Sequence, residues 1–168
     1  SAGRRFATLS VRVSPAIETR RKPLEMHWIW TAASLATAGL MFTRVRGRRQ
    51  VCLTFDDGPS PEHTPALLDL LAEHQVPATF FLIGSKISEH PVIAQRIVAE
   101  GHSLGNHSFN HPRFDRSSMR KQWEEIERTE QALNSCDGLK RHLVRPPYGR
   151  LGLGTLAVCL ARRQRIAL

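Results

Sequence analysis

The feature that most constrains this chain is an alternation of short apolar runs with helical stretches, recurring about every 20–30 residues from Val51 onward. Residues 51–55 (VCLTF) end at an Asp-Asp-Gly-Pro turn and read as a buried strand. Ser60-Pro61-Glu62 then opens a helix, with serine as N-cap, proline at the first position and an acid in the first turn. Leu67, Leu68, Leu70 and Leu71 form its inner face. Residues 78–83 (ATFFLI) are a second strand closed by Gly84, and residues 91–100 a second helix capped by Gly101. A third strand at 102–106 leads to a polar amphipathic helix over 117–133, with Met119, Trp123, Ile126 and Leu133 near helical spacing. A fourth strand at 143–144, a helix at 153–161 and a fifth strand at 165–168 complete the series. Such units build an α/β fold on a parallel sheet, with chemistry at the C-terminal strand ends.

Charge divides the chain in two. Residues 1–50 hold 10 Lys/Arg against 2 Asp/Glu, and the rest 14 against 13. The +9 net charge therefore belongs to an N-terminal extension, and the domain at 51–168 is nearly neutral. It has no basic patch interleaved with aromatics, which argues against a nucleic-acid partner. The chain is long enough for one modest domain. Cys52, Cys136 and Cys159 form no CxxC pair, and Cys52 and Cys159, in apolar runs, read as buried small hydrophobes.

Within the extension, residues 28–42 (WIWTAASLATAGLMF) carry no charge and are flanked on both sides by arginines. The segment is shorter than the roughly 20 residues of a spanning helix but has the length of a signal-peptide apolar region. Ala36-Thr37-Ala38 offers a small-residue cleavage pattern. The extension thus reads as a signal peptide or anchor, giving membrane association through 28–42 or export to a bacterial cell envelope. Two alternatives stand: a buried helix, or a start at Met26, for which the positive-inside rule leaves the domain in the cytoplasm.

Three motifs fall at strand ends. In TFDDGP, the adjacent carboxylates of Asp56 and Asp57 repel each other at the end of a strand, where Gly58-Pro59 forces a turn. An Asx-type turn alone would also explain them. In HSFNH, His107 and His111 stand four apart, the spacing that puts two imidazoles on one face of a helical turn within reach of one metal ion. Two unrelated histidines are the plain alternative, and the other histidines have no such pairing. In RPPYG, paired prolines stiffen the loop and Arg145 can hold a carboxylate in a bidentate pair, or simply sit on the surface of a rigid turn.

Together, in this order, the three motifs make residues 51–149 resemble the polysaccharide deacetylase family, the NodB-like carbohydrate esterases, with supporting similarity out to Leu168. The resemblance implies a distorted β/α barrel and metal-dependent removal of acetyl groups from N- or O-acetylated polysaccharides or oligosaccharides. It implies Asp57, His107 and His111 as ligands of a divalent metal, most often zinc. Cobalt or nickel also suits that donor set. It further implies Asp56 as general base, Arg145 as its orienting partner, and the backbone N–H of Tyr148 as an oxyanion donor. Among substrates, N-acetylglucosamine chains are favoured and acetylated xylan stays open.

The family's later motifs, including a late histidine that serves as general acid, have no counterpart here, since no histidine follows His142. The expectation is therefore a partial barrel, the N-terminal part of such a domain, with amide cleavage weakened roughly 10²–10⁴-fold. Two other readings remain: a non-catalytic sugar-binding remnant, and an amidohydrolase acting on a small non-sugar amide.

Overall fold

In the computed structural model, which describes Met41–Phe42 and residues 52–168, the apolar runs become one parallel sheet. Its strands are β1 (Met41–Phe42), β2 (Leu53–Gly58), β3 (Ala78–Leu82), β4 (Ser103–Asn106), β5 (Leu143–Val144) and β6 (Ile166–Ala167). They stand in the order β1-β6-β5-β4-β3-β2, every pair parallel. Parallel neighbours need crossover connections. These are α1 (Thr64–His74) after β2, α2 (Gly84–Glu89) and α3 (Pro91–Ala99) after β3, α4 (Met119–Asp137) after β4, and α5 (Leu153–Ala161) after β5. From β2 to β6 each strand lies beside the next in sequence, with none of the reversal of a doubly wound sheet. This is the order of a partial β/α barrel, and it brings the C-terminal ends of β2, β4 and β5 to the same rim.

Two apolar clusters hold the layers together. Leu68, Leu71, Phe80, Leu82, Ile97 and Leu133 join α1, α3 and α4 to β3. Phe114, Ile126, Val144, Val158, Cys159 and Ile166 join α4 and α5 to β5 and β6. Truncating a fully buried leucine such as Leu68 or Leu133 would cost about 2–5 kcal/mol.

Several expectations need correction. The first strand is not buried: β2 is largely exposed and Cys52 with it, because β2 ends the sheet order and has a single partner strand among the described residues. It also runs on through Asp56, Asp57 and Gly58. The first helix begins at Thr64 with His63, not Ser60, at its N-cap and no side-chain cap; Ser60 lies in the preceding turn, its Oγ accepting from His63 N at 3.3 Å. Leu70 is exposed, while Leu68 and Leu71 carry the inner face. Helix α2 was not foreseen. Helix α4 starts behind the Ser118 cap, whose Oγ accepts from Lys121 N, and runs past Leu133 to a left-handed Gly138. Its Met119 and Trp123 are exposed. Of segment 28–42, only Met41–Phe42 are described, and they form β1. The remainder of the extension, and with it the signal or anchor reading, lies outside the described residues. No helix among the described residues is long and apolar enough to cross a membrane.

Candidate active site

A register shift at the end of β2 separates the two aspartates. Asp56 pairs with Phe81 and Gly58 with Leu82, so Asp57 is the extra residue of a bulge, and its backbone is left-handed at φ 66°. Bulges re-aim side chains. Here Asp56 faces the loop after β5 and Asp57 the loop after β4. Lys86, from α2, steadies the bulge by donating from Nζ to the Asp57 carbonyl at 2.7 Å.

The HSFNH segment after β4 is a loop and not the helical turn its spacing suggested. Ser108 and His111 both adopt left-handed backbone, at φ 66° and 56°. Those two reversals, rather than an α-helical pitch, bring His111 back towards His107 and set their Nε2 atoms 3.2 Å apart. Residues held in sparsely populated backbone regions concentrate at functional sites. Asp57, Ser108, His111 and Tyr148 are four such residues, all within the three motifs.

The RPPYG loop completes the arrangement. Arg145 donates from Nη1 to Asp56 Oδ1 at 2.7 Å and to Thr54 Oγ1 at 2.9 Å, with its guanidinium over the Phe81 ring. The contact with Asp56 uses one nitrogen and is not the bidentate fork expected, and the same Nη1 also serves Thr54. The Arg145 carbonyl lies 2.7 Å from His107 Nδ1. A carbonyl only accepts, so Nδ1 carries the proton and Nε2 keeps its lone pair. Burial pushes His107 below the usual histidine range, against the Arg145 hydrogen bond and the charges of Asp56 and Asp57, and so favours the neutral form. Tyr148 is exposed, with its ring tilted against that of His111 at a centroid distance of 4.7 Å.

Asp57 Oδ1 lies 3.4 Å from His107 Nε2 and 3.2 Å from His111 Nε2. Zinc bonds of about 2.0–2.1 Å in tetrahedral geometry require donors about 3.3–3.4 Å apart. With the two Nε2 atoms 3.2 Å apart, the mutual spacing of the three atoms is that of donors to one small divalent cation. Asp56 and Arg145 are not among these donors.

The sequence motifs missed the groups behind the first rank. Thr54 lies inside the first motif, yet as a strand residue it gave no sign of touching Arg145. Asn106 is fully buried one residue before His107. Its Oδ1 accepts from Ser108 N, and its Nδ2 donates to the Ile126 carbonyl and to Glu130 Oε1. Glu130 in turn accepts from His142. Glu130 gave no local signal in the sequence, because an acid on a polar helix looks the same whether or not the fold buries it.

Comparison with known proteins agrees with the geometry. The sequence profile described as polysaccharide deacetylase matches residues 43–161. The chain is 42% identical over 110 residues to a peptidoglycan-N-acetylglucosamine deacetylase of Bacillus cereus, covering 66% of this chain and 40% of the relative. It is 45% identical over 107 residues to a chitooligosaccharide deacetylase of Bradyrhizobium sp., covering 62% and 48%. A crystal structure of a peptidoglycan N-acetylglucosamine deacetylase superposes with a TM-score of 0.75 at 35% identity, over 80% of this chain and 63% of that one. The chain thus spans less than half the length of the two curated relatives.

Proposed function

Because the chain belongs to the polysaccharide deacetylase family, we propose that it is a metal-dependent hydrolase releasing acetate from N-acetylated polysaccharides, N-acetylglucosamine polymers above all. The observation that carries this reading is the convergence of Asp57, His107 and His111 on one point, beside a separately held Asp56–Arg145 pair. Binding alone would need no second carboxylate held by an arginine. The names of the relatives, which specify peptidoglycan and chitooligosaccharide, support the choice of substrate class.

In this reading Asp57, His107 and His111 hold the ion, zinc in the first instance. A divalent cation there supplies Lewis acidity towards the acetyl carbonyl and the attacking water. Asp56 accepts the proton of that water, a role typically contributing about 10²–10⁴-fold. Arg145 holds the Asp56 carboxylate in place through its Nη1 hydrogen bond, so that it stays turned towards the water. The Tyr148 backbone N–H serves as a fixed donor for the negative charge that develops on the acetyl oxygen. The apolar, arginine-flanked segment 28–42 and the peptidoglycan in the name of one relative support a place at the cell envelope.

The test is acetate release by the full chain, supplied with Zn2+ or Co2+, from N-acetylglucosamine oligomers and from peptidoglycan. Release that disappears in Asp56→Asn supports the proposal. A folded, metal-loaded protein that frees no acetate from either polymer, at a sensitivity that covers the roughly 10²–10⁴-fold weakening expected of amide cleavage here, overturns it.

A further inference from the structure

The loop His107–His111 cannot hold its own shape. It is not helical, two of its residues are left-handed, and both its ends carry the imidazoles that must meet. Its backbone groups are held instead by neighbouring elements. Ser108 and Phe109 carbonyls accept from Gly84 N and Ser85 N at the start of α2, each at 3.0 Å. On the other side stands Glu125 of α4, 1% exposed. Its Oε2 accepts from Phe109 N at 2.9 Å and Asn110 N at 2.7 Å, and its Oε1 from Asn110 Nδ2 at 3.0 Å. Lys121 Nζ, 2.8 Å from Oε1, balances the charge one turn earlier on α4. Arg128 of the same helix lies over the Phe109 ring, 3.6 Å from its centroid.

We propose that Glu125 is a positioning residue for the metal centre: through the Phe109 and Asn110 amides its carboxylate sets the loop so that His107 and His111 reach one point with Asp57. Glu125 touches no atom of that donor set. It acts through the segment between the two imidazoles, one step behind the groups bonded directly to metal-ligating side chains, whose typical worth of about 10–100-fold in affinity or activity sets the scale expected here. A carboxylate suits the task because it only accepts, so one oxygen can take two converging N–H donors. The amide of glutamine offers a single accepting oxygen and turns N–H groups towards the loop or towards Lys121.

This inference rests on the reading of Asp57, His107 and His111 as metal ligands, and its test separates the two. The full chain and Glu125→Gln are titrated with Co2+ alone, following heat and the visible absorption of the bound ion. Leu133→Ala, on the same helix but within the apolar cluster, serves as a variant destabilised away from the loop. The expected result is a Co2+ affinity lowered about 10–100-fold in Glu125→Gln, with an altered visible spectrum, against wild-type affinity and spectrum in Leu133→Ala. Wild-type Co2+ affinity and spectrum in a folded Glu125→Gln overturn the proposal while leaving the metal site standing. So does equal loss in both variants, which would reduce Glu125 to general stability. A wild-type chain that binds no Co2+ overturns the metal reading itself, and the proposal with it.

Discussion

Arg145 holds Asp56 through Nη1 at 2.7 Å, while its own carbonyl holds His107 through Nδ1 at the same distance. One residue thereby serves both halves of the site, the first by side chain and the second by backbone. Substitution separates them. In Arg145→Ala the carbonyl remains, so metal binding by calorimetry is expected to stay within a few-fold of wild type. Acetate turnover is expected to fall by about 10²-fold or more, as Asp56, the proposed base, loses its partner. Loss of metal affinity in step with turnover would contradict this division.

The bulge at the end of β2 makes a sharper prediction from neighbouring residues. Zinc at 100 times its dissociation constant should stabilise the fold by about 2.7 kcal/mol. Asp56→Asn should keep that increment in thermal unfolding and lose turnover by about 10²–10⁴-fold. Asp57→Asn should lose the increment itself, since Asp57 supplies the oxygen facing both imidazoles. Equal zinc responses in the two variants would mean that the bulge does not divide their roles.

Gly105 supports the arginine indirectly. A Cβ at this position would lie 2.4 Å from Phe81 Cδ1 and 2.6 Å from its Cε1, and Phe81 is the ring beneath the Arg145 guanidinium. Phe81 is fully buried, so the ring has little room to yield. Gly105→Ala is expected to destabilise the protein by about 1–3 kcal/mol in urea titration, and to lower turnover by displacing Arg145. An unchanged urea midpoint would show that the ring yields freely.

How legible this was from sequence depended on whether the signal was local. The strand at 143–144, stopped by Pro146-Pro147, and the helix at 153–161 match the reading. The motif residues stood out through their joint resemblance to a known family, since each motif alone also had a plain structural explanation. The position of β2 at the end of the sheet was not, since an apolar run looks the same whether or not a neighbour covers it. The shape of HSFNH was misread for a related reason. Spacing of four suggests a helical turn, but the left-handed backbone of Ser108 and His111 is imposed by Asn106, Glu125 and the start of α2. Glu125 and Glu130 looked like ordinary charges on a solvated helix, and only the packed fold turns them inward.

The last of these buried charges gives a pH signature. His142 is sandwiched between Glu130 Oε2, 3.0 Å from Nδ1, and Asp137 Oδ2, 2.9 Å from Nε2. Burial works to lower its pKa, but the hydrogen bonds and charges of the two acids outweigh it, and the net effect is a rise above the usual histidine value. The folded state then holds a proton that the unfolded chain releases near its ordinary value of about 6.5. The resulting stabilisation is complete below that value and fades as pH climbs through the raised folded one, so stability should fall with rising pH across this window. Urea midpoints taken from pH 6 to pH 9 are expected to drop more steeply in wild type than in His142→Gln. The variant should be less stable at the acid end, where the imidazolium bridges both carboxylates, and should approach wild type as the pH rises. Parallel curves for the two proteins would mean that His142 keeps the same protonation state across the window.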